Sequence, residues 1–238
     1  MGMWRTSRSV SSSWSLGAFT LVELLVVMAL MAVFSAVLLS QFSGGGSSAV
    51  LQSAQSALAG TITLARTRAL ASGQPCRLAF NIDPRESAQP SRYLRFIVLQ
   101  INGPTGWQSI KELYLPEGAY FLPGDFAVLP LGLFAEGTAD WVKADELTPL
   151  RSTVLRSGQI ITETINSNVA ELWVSFSISP IGATAQAGDL VLASGRQRAP
   201  GFYLAGESPV ELYHRDGVRG ITLSSYGLAV LIADRSGF

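Results

Sequence analysis

The chain has 238 residues, with 17 Lys plus Arg against 17 Asp plus Glu, a single cysteine (Cys76) and a single histidine (His214). Balanced charge offers no net field to steer nucleic acid or an anionic membrane surface. The lone thiol excludes an internal disulfide or Cys-rich metal site, and the lone imidazole leaves no His cluster or His-dependent triad with ordinary partners. Charged residues make up only 14% and mean hydropathy is +0.32, so apolar sequence is concentrated somewhere in a chain sized for one folded domain plus an extension.

Residues 1–18, MGMWRTSRSVSSSWSLGA, carry Arg5 and Arg8, no acid and many serines, and end in the small pair Gly17 and Ala18. That is the composition of a leader. The run 19–39, FTLVELLVVMALMAVFSAVLL, holds one charge in 21 residues. As a helix it rises roughly 32 Å, enough for a hydrocarbon core of about 30 Å. The basic flank comes first, which keeps the N-terminus cytoplasmic and exports the chain beyond Leu39. The run is longer than a signal-peptide core, and its small residues precede it where a signal peptide places them after. Apolar character on every side argues against a buried helix of a soluble protein. Glu23 interrupts the run near its start; a carboxylate at bilayer depth costs on the order of 2.5 to 3.5 kcal/mol, so a partner cation is expected.

The string GAFTLVELLVVMAL, 17–30, resembles the N-terminal cleavage and methylation motif of type IV pilins and type II secretion pseudopilins. The resemblance implies a cut by prepilin peptidase, methylation of the new N-terminal residue, and an assembly role for Glu23, whose carboxylate pairs with the N-terminal amine of a neighbouring subunit. Gly17, Ala18 and Phe19 are the processing positions. The family places Gly before the cut, but cutting after Gly17 makes Ala18 first and Glu23 sixth. Cutting after Ala18 makes Phe19 first and Glu23 fifth, as in the family, with Ala in place of Gly. The second cut is favoured because a charge pair in low dielectric depends on reach.

Residues 41–48, QFSGGGSS, predict a Gly/Ser hinge that interrupts the helix after a 19–40 transmembrane and assembly segment, each Gly costing about 1 kcal/mol against Ala. Over 49–72 helical spacing returns, with Leu51, Ala54, Leu58, Ile62, Ala65 and Ala69 on one face, and Gly73 and Pro75 supply the stop. This amphipathic helix is expected to lie across a β domain. The stretch 64–80, LARTRALASGQPCRLAF, resembles the helix end and first strand of the minor pseudopilin H and fimbrial T subfamily. Arg66 and Arg68 near the helix end complement its dipole, and DNA binding is not the expected role.

The remainder, 73–238, predicts a β-rich domain with strands at 76–82, 93–101, 107–115 and 172–178 and a closing hairpin of 219–223 and 228–232. The hairpin is similar to the last two strands of the same subfamily. Residues 116–168, with several prolines and glycines and no sustained period, predict long loops with one short helix near 144–155. The chain's size and this insertion are similar, more loosely, to the Verru_Chthon cassette pilin-like proteins.

No phosphate loop, dinucleotide fingerprint, nucleophile elbow or HExxH occurs. Asp140, Asp145 and Glu146 lack the spacing and Gly of a calcium loop and are expected to be a solvated face. Asp83 and Glu86 flank Pro84 as turn residues, 195–198 (GRQR) forms a solvated basic loop, and Cys76 is a packing residue. The expectation is an α+β protein: a long N-terminal hydrophobic helix, interrupted at the Gly-rich hinge, packed on an antiparallel sheet. No catalytic site, cofactor or metal is expected. The resemblance implies a minor pseudopilin-like subunit of a type II secretion pseudopilus or type IV pilus. It would be a single-pass inner-membrane protein with a cytoplasmic N-terminus and a periplasmic domain, able to enter an extracytoplasmic filament. Implied partners are prepilin peptidase, other pilin or pseudopilin subunits and an inner-membrane assembly platform. The alternative is a DNA- or surface-binding minor pilin at a pilus tip.

Overall fold

The computed structural model describes residues 21–85, 88–124, 130–135, 141–156, 159–213 and 216–238, with backbone alone for 32–46 and 159. The chain divides into two compact units, 1–44 and 45–238. Helix α1 is assigned over Leu21–Ser72. The predicted interruption at 41–48 is therefore corrected: helical backbone passes through the three glycines, although the boundary between the two units falls at Gly44 and Gly45. Extending an existing helix is cheap compared with nucleating a new one, so a few kcal/mol of glycine penalty does not force a break.

At its far end α1 stops as the sequence predicts. Gly73 takes a φ of 65° and its N–H donates to Ala69 O at 3.0 Å, a left-handed cap that a residue with a Cβ adopts only under strain. The predicted face is also found. Leu51, Ala54, Leu58, Ile62, Ala65 and Ala69 are all buried in the main core.

Ten strands come after the helix: β1 (Cys76–Asn81), β2 (Phe96–Gly103), β3 (Gly106–Tyr114), β4 (Ala119–Phe121), β5 (Gln159–Glu163), β6 (Glu171–Ile178), β7 (Gly188–Gln197), β8 (Val210–Leu212), β9 (Val218–Leu223) and β10 (Ala229–Ile232), with the short helix α2 (Thr153–Arg156) ahead of β5. They form two antiparallel sheets rather than the one expected. The first runs β3-β2-β1-β6-β5; the second runs β10-β9-β7-β4, with β8 also paired to β7. Cys76, Leu78 and Phe80 on β1 point into the main core with the helix, while Ala79 joins Phe96, Val98 and Trp173 in a smaller cluster. Period-2 alternation puts those two sets on opposite faces of the sheet. The sheets meet where Phe80 packs edge-on against Phe121 of β4, ring centroids 5.1 Å apart, and Phe121 N–H donates to Leu94 O at 2.9 Å.

Of the second sheet, the β9–β10 hairpin is the one expected at 219–223 and 228–232, while β4, β7 and β8 carry no such local pattern. The sheet's central strand β7 is buried from Leu190 to Gly195, so it shows no alternation, and that buried run closes in Ala-Ser-Gly. Gly195 is the one available signal: a Cβ there would approach Glu211 O at 2.8 Å and the Tyr120 ring at 3.0 Å, so the strand needs Gly for its neighbours to close up. The expected long loops at 116–168 are corrected in part, because β4 and β5 lie within them; the short helix expected near 144–155 is found as α2, at Thr153–Arg156. Trp141, fully buried and 5.0 Å from the Phe134 ring, anchors part of that stretch. Ser152 and Thr153 hydroxyls accept from Val191 N–H at 3.0 Å and Asp189 N–H at 2.7 Å, pinning α2 to β7.

Candidate functional site

Gly17, Ala18 and Phe19 lie outside the described residues. Glu23 lies in helix α1, close to the start of the described residues. Around it, every described side chain from 21 to 31 is exposed. Nine of these are large and apolar, from 44% exposed at Val27 to 80% at Leu21. Consecutive helical residues step 100° apart, so these side chains cover all sides of the helix. A surface of that kind is stable only when something apolar surrounds it. Among the described residues, no helix is long and apolar enough to cross a membrane. The predicted 19–39 run begins before those residues and continues into backbone-only ones.

Within the domain, the second half of α1 is seated by polar anchors as well as by its Ala-rich face. The Gln55 side-chain amide, almost fully buried, donates to Gly220 O at 2.6 Å and Ile232 O at 2.7 Å. Arg66 Nε donates to Tyr226 O in the β9–β10 turn at 3.1 Å. Beyond complementing the helix dipole, Arg66 is thus a clasp between helix and hairpin.

Asp83 closes the expected turn, accepting from the Arg85 N–H two residues on, and is in addition a buried hub. Its carboxylate accepts Arg85 Nε at 2.8 Å, Arg85 N–H at 3.1 Å and Leu172 N–H at 3.0 Å. Burial pushes its pKa up, but the Arg85 guanidinium and the two backbone N–H groups outweigh that and hold it below the ordinary carboxylate value. Beside it, Arg92 donates to Glu171 at 2.9 Å and to Ile165 O at 3.0 Å, and Asn81 also donates to Glu171. On the same sheet face Arg77 grips Glu163 and Gln100, with Trp107 4.4 Å over its guanidinium. Two Arg–carboxylate pairs and Asp83–Arg85 balance one another in charge, which makes this a structural network rather than a cation site. No fixed spacing in the sequence announces it.

Asp145 closes its own turn, accepting from Leu147 N–H, Thr148 N–H and the Thr148 hydroxyl, and these bonds hold its pKa down to about 2. Asp140, Glu86 and His214 lie outside the described residues, and among the described residues no group of three His, Cys, Asp or Glu side chains is placed to hold a metal. Cys76 is buried, which pushes its thiol pKa up against the opposing pull of Arg68. Arg196 and Arg198 line an open depression of about 550 Å³ with Phe202 and Glu211, but both already pair with Glu211, at 2.7 and 3.5 Å.

No family model matches the chain, and no curated protein matches it. Two solved structures are similar to it, both of the minor pseudopilin EpsH from the type 2 secretion system of Vibrio cholerae. Each is 16% identical; they cover 77% and 78% of this chain and 94% of their own, with TM-scores of 0.35 and 0.36.

Proposed function

We propose that this chain is a pilin-like, non-catalytic subunit of the minor pseudopilin kind, serving a type II secretion pseudopilus or a type IV pilus. The carrying observation is the helical surface at 21–31, apolar on all sides and holding the single charge Glu23. Its sequence context, GAFTLVELLVVMAL, resembles the prepilin processing motif, with Ala18 in place of the Gly before the favoured cut. A bilayer covers such a surface before assembly, and neighbouring helices cover it afterwards. On this reading the segment 1–18 is removed by prepilin peptidase. The subunit waits in the inner membrane with its domain in the periplasm, and Glu23 takes up the methylated N-terminal amine of a neighbouring subunit as the helix enters the filament. An assembly platform in the inner membrane and other pilin or pseudopilin subunits are its partners.

The firm seating of the second half of α1 on the second sheet supports this role, since a subunit drawn through its helix must carry its domain with it. The test is the intact mass and N-terminal peptide of membrane-extracted protein made with and without a prepilin peptidase. A peptidase-dependent, methylated Phe19 start is expected. A methylated Ala18 start keeps the class and moves Glu23 to sixth, whereas cleavage near Ser43 in both strains overturns the reading.

A further inference from the structure

Three segments distant in sequence converge at the end of α1. Arg66 packs over Gly182 and Gly227 while its Nε holds Tyr226 O, and the β9–β10 turn and the β6–β7 loop are tied by Thr184 N–H to Ser225 O at 2.9 Å. Gly182 and Gly227 sit so close that a Cβ on Gly227 would overlap Gly182 O. Yet this firmly built corner turns large apolar side chains outward: Leu70, Ile181, Tyr226 and Leu228 are all exposed. A contiguous exposed apolar patch on well-tied backbone marks an interaction surface more often than chance exposure.

The patch continues along β10. This strand ends the second sheet, pairing only with β9 among the described strands. Val230 is 62% exposed and Leu231 54%. Neighbouring strand residues point to opposite faces, so β10 is open on both faces at Val230 and Leu231, between the half-buried Ala229 and the buried Ile232 whose carbonyl Gln55 holds. It carries no Lys, Pro or inward charge of the kind that blunts a free edge.

We propose that the β10 edge and the adjoining patch dock an extended, apolar, carboxylate-bearing segment of another protein, which adds to the second sheet as a further strand. Three observations select that occupant. An unpaired strand edge is satisfied by extended backbone, which supplies N–H and C=O groups in register. Within α1 from residue 49 onward, the 179–187 loop and 224–232 there is no acidic residue, and among the described residues Arg66 has no carboxylate partner, so the complementary charge is negative. A second copy of this chain meeting only the four-residue β10 edge buries far less than the roughly 800 Å² per partner of a stable interface. A flexible strand can follow β10 and then cross Tyr226 and Ile181 to Leu70. The inference does not depend on the filament reading.

The test uses the full chain in detergent and fluorescent peptides of about twelve residues, alternating Val and Ser with Glu at one end, scaled to β10 plus the patch. Saturable binding is expected, weakened about tenfold when alternate amides are N-methylated, because each lost donor removes a hydrogen bond. Replacing the terminal Glu by Lys should weaken it by about threefold, the scale of one exposed ion pair. Val230→Lys, on an exposed side chain, should abolish binding without shifting thermal unfolding. No saturable binding overturns the proposal, as does binding that survives both N-methylation and Val230→Lys. Self-association that Val230→Lys abolishes, with no peptide binding, assigns the edge to a second copy and overturns it as well.

Discussion

Gln55 and Gly220 are 165 residues apart, yet the Gln55 amide donates to the Gly220 carbonyl at 2.6 Å, and the same nitrogen reaches Ile232 O at 2.7 Å. Gly220 and Ile232 face one another across β9 and β10, so one side chain of α1 grips both strands of the closing hairpin at once. Replacing Gln55 by Ala leaves two buried carbonyl oxygens short of a donor. The expected loss is about 2 kcal/mol, read as a lower denaturant midpoint for the full chain in detergent. An unchanged midpoint would show that the helix is held by its apolar face alone.

Two glycine substitutions should move stability in opposite directions. At Gly220 a Cβ would overlap Leu190 O and come within 2.5 Å of the Phe238 ring, so Gly220→Ala must part β9 from β7 or expel Phe238. A loss of about 2 kcal/mol or more is expected, as for other overpacked sites. At Gly60, inside α1, nothing lies within 4 Å of the added methyl. Gly60→Ala should raise stability by about 0.5 to 1 kcal/mol through the lower entropy of the unfolded chain. Differential scanning calorimetry of the two variants checks both signs.

Asp83 gives the domain a defined acid sensitivity. Its folded-state pKa lies below the ordinary carboxylate value. Its contribution is therefore complete above the unfolded-state pKa of about 4 and is lost as pH falls through the folded-state value. Asp83→Asn should cost about 1 to 2 kcal/mol at pH 7 and flatten the decline below pH 4. Denaturant midpoints from pH 7 down to pH 2.5, compared with the parent chain, check this; parallel curves would assign the acid sensitivity to other carboxylates.

Glu23→Ala removes a charge but no part of the apolar surface at 21–31. The variant should insert and be processed normally, yet its recovery in sheared filaments should fall by tenfold or more, since one desolvated charge pair is worth about 1.4 kcal/mol or above. Immunoblots of membrane and filament fractions separate the two steps. Normal incorporation would remove the assembly role from the carboxylate.

Several features were legible because they are local. The six buried positions from Leu51 to Ala69 follow from a 3.6-residue period, and the Gly73 stop from the cost of a left-handed turn. The β1, β2, β3, β6, β9 and β10 strands follow from runs of β formers between turn residues. The apolar run around Glu23 was likewise plain, since hydropathy needs no partner to be read. The rest depended on contacts across the chain. β7 is buried on both faces at the centre of a sheet whose other strands come from residues 119 to 232, so its own sequence shows no alternation over the buried run. The turn at Asp83 is local, but its second role is not, since the Leu172 N–H it accepts is 89 residues away, and the turn that Arg66 clasps is 160 residues away. The two sheets are divided by their backbone pairing, and long-range contacts join them: Phe80 against Phe121, and Gln55 on the hairpin. Sequence determined which residues seek burial; only the folded chain decided which distant groups would bury them, because that choice is made by packing and hydrogen bonding between segments no local pattern connects.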